Sequence, residues 1–189
     1  MKKIMFNDWY GLTKAVLSGY KTVTRRIMNR QPDPDDIAYM EPKDYPCQPP
    51  YKVGEIVAVA QSYFEIRNFI IGDDFDDTLA HAYGMDDDFT EVVNLAGWNN
   101  KMFVKPELMP HQIRITSVRP ERLQNITDED CLKEGVRFVE NSDGHFSNGM
   151  SDGYTTPISA FAALIDEISG RRIWERNPFV WRIEFKLVK

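Results

Sequence analysis

A chain of 189 residues, 42% hydrophobic and 12% aromatic, is long enough to bury a core and ordinary in composition for a globular protein. With two cysteines, Cys47 and Cys131, far apart in sequence, it has neither a disulfide framework nor a cysteine metal motif, and no run reaches the roughly 18 apolar residues of a membrane span. The opening "MKKIMFNDWYGL" lacks the apolar core of a secretory leader, so a reducing cytoplasm is the expected setting.

In chain order, Asn7 or Asp8 is placed to cap a short helix over Trp9 to Ser18, with Trp9, Leu12 and Val16 on one face and Gly19 as its left-handed end. "YKTVTRRIM" follows, β-branched and strand-like. Residues 32–50 hold six of the eleven prolines and form a loop. "KVGEIVAVAQSYFEI" (52–66) is apolar on both faces, as an interior strand would be. From about 67 to 107 periodicity is weak, and the stretch reads as an insertion. "HQIRITSVRPERL" alternates, with Ile113 and Ile115 inward and Pro120 as its end. "NITDEDCLKEGVRF" is a short helix with Thr127 as cap, Asp130 three residues later and Gly135 as terminator. Residues 139–154 form a polar, glycine-rich loop. "TTPISAFAALIDEISG" is the clearest helix, with a threonine cap, Pro157 first, Phe161, Leu164, Ile165 and Ile168 on one face and Gly170 at the end. The chain closes on "PFVWRIEFKLVK", with Phe179, Trp181, Ile183, Phe185 and Leu187 on one side. Strands separated by short helices, not in regular βαβ order, predict an α+β fold with a small mixed barrel.

The net charge of −6 is local in origin. Between Arg67 and Lys101 there is no Lys or Arg, but there are eight acids, and without those eight the chain has 21 acids against 23 bases. Asp73, Asp74, Asp76, Asp77, Asp86, Asp87, Asp88 and Glu91 lack the spacing of a calcium loop and read as a solvated acidic segment. A body close to neutral argues for a small ligand over an extended polyanion track, which would also make binding fall steeply with salt.

No dinucleotide, phosphate-loop, zincin or nucleophile-elbow motif is present, and His81, His111 and His145 lie in the insertion or at loop edges. Two features stand out. Glu134 lies in the last turn of its helix, where the negative end of the helix dipole disfavours an anion; a dipole end and burial would both favour the protonated acid. "GYKTVTRR" (19–26) gathers Lys21, Thr24, Arg25 and Arg26 behind a glycine. A lysine desolvated beside two arginines would lose its proton more readily and could then accept one from the Thr24 hydroxyl. In a regular strand Arg25 and Arg26 face opposite sides, so only one of them would line a ligand pocket. The simpler readings are a solvated strand and a solvated helix end.

"VLSGYKTVTRR", "YKVGEIVAV", "VRPERLQNITDEDCLKEGV" and "FAALIDEISG…WERNPFVWRIEFK" together resemble the ASCH-domain proteins of the phage type, PUA-like β-barrels tied to RNA or nucleotide biology. The resemblance keeps the same order over most of the chain. It implies one domain over 1–189, a small mixed barrel with flanking helices, a Pro-rich loop at about 32–50 and a large acidic insertion at about 67–107. "GYKTVTRR" and "ITDEDCLKE" are also similar to motifs of the small bacterial N4-acetylcytidine amidohydrolases. That similarity implies Thr24 as nucleophile, Lys21 as its base and Glu134 as proton donor. Arg26 would contact ligand, and no cofactor is implied. Departures occur at "AQSYFE", with Gln61 and Tyr63 where many relatives have Glu and Trp, and at "LMPHQ", which lacks an arginine. The expected partner is a nucleoside, nucleotide or RNA. Two functions follow: a hydrolase of an acylated, cytidine-type nucleoside, or a non-catalytic RNA- or modified-base-binding module. In the latter Arg25 and Arg26 meet phosphate and Tyr20 or Tyr63 stacks on a base.

Overall fold

The computed structural model describes residues 1–33, 35, 39–40, 44–69, 96–140 and 145–188. The aspartate run of the expected acidic insertion lies outside them, as does His81. The fold is mixed α+β. Its principal sheet has five strands: β1 (Lys2–Ile4), β2 (Val23–Ile27), β3 (Ile56–Val59), β4 (Gln112–Arg122) and β7 (Phe179–Leu187), in the order β1-β3-β4-β7-β2. β1 runs parallel to β3 and β2 antiparallel to β7. A hairpin of β5 (Arg137–Val139) and β6 (His145–Ser147) stands apart from it. Among the described residues the sheet is open, with β1 and β2 at its edges, and no closed barrel is found. No described helix is long and apolar enough to cross a membrane.

The chain divides into two compact units. The first takes Met1–Phe6, Ile56–Ile113 and Val188–Lys189. Its core gathers Ala58, Ala60, Tyr63, Ile66, Val104 and Met109, with Trp98 and Leu108 against it. The strand expected to run through 66 stops at Val59, and helix α2 (Tyr63–Phe69) begins instead. The reason is local. Glu65 accepts from the Ser62 backbone N–H at 2.7 Å, while Ser62 Oγ accepts from Glu65 N–H at 3.2 Å, a reciprocal capping box. Lys3 Nζ donates to the carbonyls of Lys101, Met102 and Val104 at 2.6–3.0 Å, satisfying the end of a 3-10 turn over Lys101–Phe103.

The second unit takes Asn7–Glu55 and Arg114–Leu187. Helix α1 (Leu12–Leu17) is shorter than expected: Asn7 and Asp8 cap a turn, not the helix, which starts behind Gly11 in the left-handed region at φ 65°. Trp9 is therefore outside the helix and exposed. Helix α3 (Asp128–Lys133) starts on Thr127, whose side chain accepts from Asp130 N–H, and Glu134 is its C-cap. Helix α4 (Pro157–Ser169) carries a Thr156/Ser159 capping box and packs on α3, β6 and α5 (Ile173–Arg176). Its buried face is Phe161, Leu164 and Ile165, whereas Ile168 is 38% exposed.

Three other expectations change. β4 continues through Pro120 to Arg122. Part of the loop expected at 139–154 is hairpin, because Phe138 and Phe146 oppose each other across the ladder with ring centroids 5.4 Å apart. β7 is buried on both faces: Val180 and Arg182 are covered along with Phe179, Trp181, Ile183 and Phe185, since a strand inside the sheet has no solvent side here, while Leu187 is exposed.

Candidate active site

All the residues discussed in this section except Tyr63 belong to the second unit. The chain leaves α1 through Gly19 at φ 74°, and Lys21 N–H returns to the Ala15 carbonyl at 2.8 Å. Thr22 N–H then bonds the Lys133 carbonyl at 3.0 Å, tying the start of β2 to the end of α3. These two bonds set Lys21 against Glu134, although 113 residues separate them.

Lys21 Nζ donates to Glu134 Oε2 at 2.6 Å and to the Glu134 carbonyl at 2.6 Å, with both residues buried. The anion at the negative end of the dipole is thereby explained: one ammonium compensates both the carboxylate and a terminal carbonyl. Burial pulls the Lys21 pKa down from its usual value; Glu134 opposes this and Arg26 and Arg25 add to it. Gly135 closes the turn at φ 111°, and a Cβ there would sit 2.9 Å from Leu12 Cδ2. Gly135→Ala is therefore expected to destabilise the protein by about 1–3 kcal/mol through left-handed strain, read as a lower denaturation midpoint in urea.

Arg25 and Arg26 do face opposite ways. Arg25 is enclosed by three carboxylates: Nε donates to Glu121 Oε1 at 2.8 Å, Nη2 to Asp130 Oδ2 at 2.6 Å and Nη1 to Glu134 Oε1 at 3.1 Å. Directly opposite in the β2–β7 register stands Arg182, a like-charge pair that would be unfavourable alone. Asp130 resolves it by accepting from Arg182 Nε and Nη2, both at 2.8 Å, while also holding Arg25. Arg182 also pairs with Glu184. The arginine hydrogen bonds hold the Asp130 carboxyl well below the usual carboxylate range, and Asp130 in turn raises Arg182. Burial pulls Arg25 down, but Glu134, Asp130 and Glu121 outweigh it and leave its pKa raised. Burial pushes the Cys131 thiol up to about 12, which makes it unreactive.

Arg26 lies partly covered near Tyr51; burial lowers its pKa, opposed by Tyr51 and Glu134. Thr24, opposite Ile183, is 5% exposed, and no hydrogen bond of its hydroxyl is found among the described residues. The expected Lys21–Thr24 hydrogen bond is accordingly not made, and the ammonium is on Glu134 instead. Tyr20 is 41% exposed, donates its hydroxyl to the Val136 carbonyl at 2.7 Å and lies 5.9 Å from the Arg137 guanidinium. Tyr63, expected as a second stacking residue, is 1% exposed in the core of the first unit, so its ring faces are taken by protein.

The sequence reading missed Glu121, Arg182, Glu184 and Tyr51, and gave Asp130 only a capping role. A usable signal existed: Arg182 and Glu184 share one face of a strand whose other face is wholly apolar. Among the described residues, no group of three or more His, Cys, Asp and Glu is arranged to hold a metal ion. No family model matches the chain, and no curated protein or solved structure matches it either.

Proposed function

We propose that the chain is a PUA-like protein of the ASCH type that removes an acyl group from the exocyclic amine of a cytidine-type nucleoside. The observation that carries this reading is the buried Lys21–Glu134 contact at 2.6 Å, which joins the two segments whose motifs resemble the amidohydrolases. Transfer of one proton from Nζ to Oε2 turns that ion pair into an amine and a carboxylic acid, the base and the acid that the reaction needs, and burial of Lys21 favours the step. Thr24 Oγ attacks the amide carbonyl while its proton passes to Lys21. The C–N bond breaks as Glu134 protonates the departing amine, and water then hydrolyses the Thr24 ester to release the acid and restore the hydroxyl. A buried threonine hydroxyl with no hydrogen-bond partner among the described residues suits a group that must meet substrate.

The interior charges also bear on ligand size. Lys21, Arg25 and Arg182 are matched by Glu121, Asp130, Glu134 and Glu184, so this wall offers little uncompensated charge to a polyanion. The alternative, a non-catalytic RNA- or modified-base-binding module, draws on the exposed Tyr20 ring beside Arg137. Incubation of the protein with N4-acetylcytidine, followed by release of acetate, separates the two. Turnover is expected; retention of labelled RNA without turnover would favour the binding module.

A further inference from the structure

We propose that Arg25 is a positioning residue: its guanidinium occupies Oε1 of Glu134 and so commits Oε2 to Lys21. The proposal rests on the acid–base reading above and extends it to a residue to which the resemblance gives no role in the proton transfers. A carboxylate with one cationic partner can turn or change rotamer and still keep a hydrogen bond. Glu134 has two partners on two different oxygens, Lys21 at 2.6 Å and Arg25 at 3.1 Å, and the pair fixes the plane of the carboxylate.

Arg25 is itself held by further contacts. Glu121 on β4 takes Nε and Asp130 on α3 takes Nη2, and Asp130 is held in both oxygens by Arg182 on β7. Each link is buried or nearly so, with side chains of Arg25 1%, Arg182 6%, Asp130 11% and Glu121 11% exposed. A chain of fixed contacts thus runs from β7 through Asp130 and Arg25 to the carboxylate that meets the base. The charged and titratable groups acting on Lys21 are Glu134 on α3 and Arg25 and Arg26 on β2; around Arg25 they are Glu121, Asp130, Cys131 and Glu134, with Arg182 in the facing strand.

The test is the titration of the Lys21 side-chain ammonium by 1H–15N NMR, alongside the pH profile of turnover, in the parent and in Arg25→Met and Arg25→Lys. Removing the guanidinium deletes a like charge, so Lys21 in Arg25→Met is expected to titrate at higher pH. Turnover near neutrality should fall about tenfold or more, short of the ~10²–10⁴-fold loss of a proton-transfer group itself. Arg25→Lys should return the titration toward the parent value yet restore turnover only in part, because an ammonium cannot serve three carboxylates in the guanidinium's geometry. The lost charge alone would raise that titration, so Arg25→Lys, which keeps the cation and loses the fork geometry, decides: faster exchange of the Lys21 ammonium protons than in the parent supports the proposal, and unchanged exchange in the folded protein overturns it. If Arg25→Lys does not fold, Glu121→Gln decides, since it loosens Arg25 at Nε alone. Faster exchange of the Lys21 ammonium protons then supports the proposal, and unchanged exchange overturns it. The NMR titration needs no turnover, so a parent protein without hydrolase activity would strike the functional reading and leave this one to be judged by Lys21.

Discussion

Asp130→Ala is expected to destabilise the protein by about 3–5 kcal/mol, the largest stability effect of any substitution considered, because it leaves two buried guanidiniums without their shared anion. Arg25 and Arg182 stand opposite each other in the β2–β7 ladder, and Asp130 accepts three hydrogen bonds from them. Deleting the carboxylate exposes the like-charge contact and removes the acceptor of Arg182 Nε and Nη2, while Arg25 keeps Glu121 and Glu134. Asp130→Asn is expected to cost less than Asp130→Ala, since the amide oxygen still accepts while its NH2 group confronts a donor. The pH dependence follows from the direction of the Asp130 shift. Its folded pKa is depressed, so its contribution is complete above the unfolded carboxylate value of about 4 and is lost as pH falls below that toward the folded value. Urea denaturation at neutral pH and at about pH 3 should show the gap between parent and Asp130→Ala narrowing in acid. A gap that stays constant would mean that packing, not ionisation of Asp130, carries the effect.

The elements most legible in the sequence were those with a local signal. Thr127 and Thr156 cap helices as their positions indicated, and the strands at β2, β4 and β7 fall within a few residues of the expected ones. Failures came where two local signals competed. At "SYFE" the apolar run suggested a strand continuing, but Ser62 and Glu65 form a capping box, and the reciprocal hydrogen bonds decided in favour of helix. At Asp130 the spacing from Thr127 suggested a capping box too, and there the carboxylate was drawn away by two arginines from β2 and β7. No local rule could have placed Arg25 opposite Arg182, because register between strands more than 150 residues apart is set by the whole sheet. The Lys21–Glu134 pairing became readable only through the resemblance of both segments to one motif set. Its geometry then gave the helix-end glutamate a physical reason that the sequence lacked.

Thr24→Ala is expected to lower turnover of N4-acetylcytidine by more than about 10³-fold while leaving nucleoside binding in place, as loss of a nucleophile does when the pocket survives. Two further substitutions test the proton path. Lys21→Met removes the proposed base, and Lys21→Arg keeps a cation that cannot be deprotonated, so both should lose about 10²–10⁴-fold in turnover. Equal losses in the two would show that it is the proton-accepting amine, and not charge alone, that matters. The sign of the pH dependence is fixed by the Lys21 shift: burial lowers its pKa, so the free amine accumulates at lower pH than for an exposed lysine, and kcat should rise on the acid side as Lys21 loses its proton. Glu134→Gln keeps one acceptor, its single Oε1, for Lys21 yet cannot donate a carboxyl proton, and should slow amine departure while the acyl-threonine, once formed, still hydrolyses. Substrates with a more acidic leaving amine should then recover most of the lost rate. Turnover that survives in Thr24→Ala would place the nucleophile elsewhere, and an unchanged pH profile in Lys21→Met would remove Lys21 from the proton path.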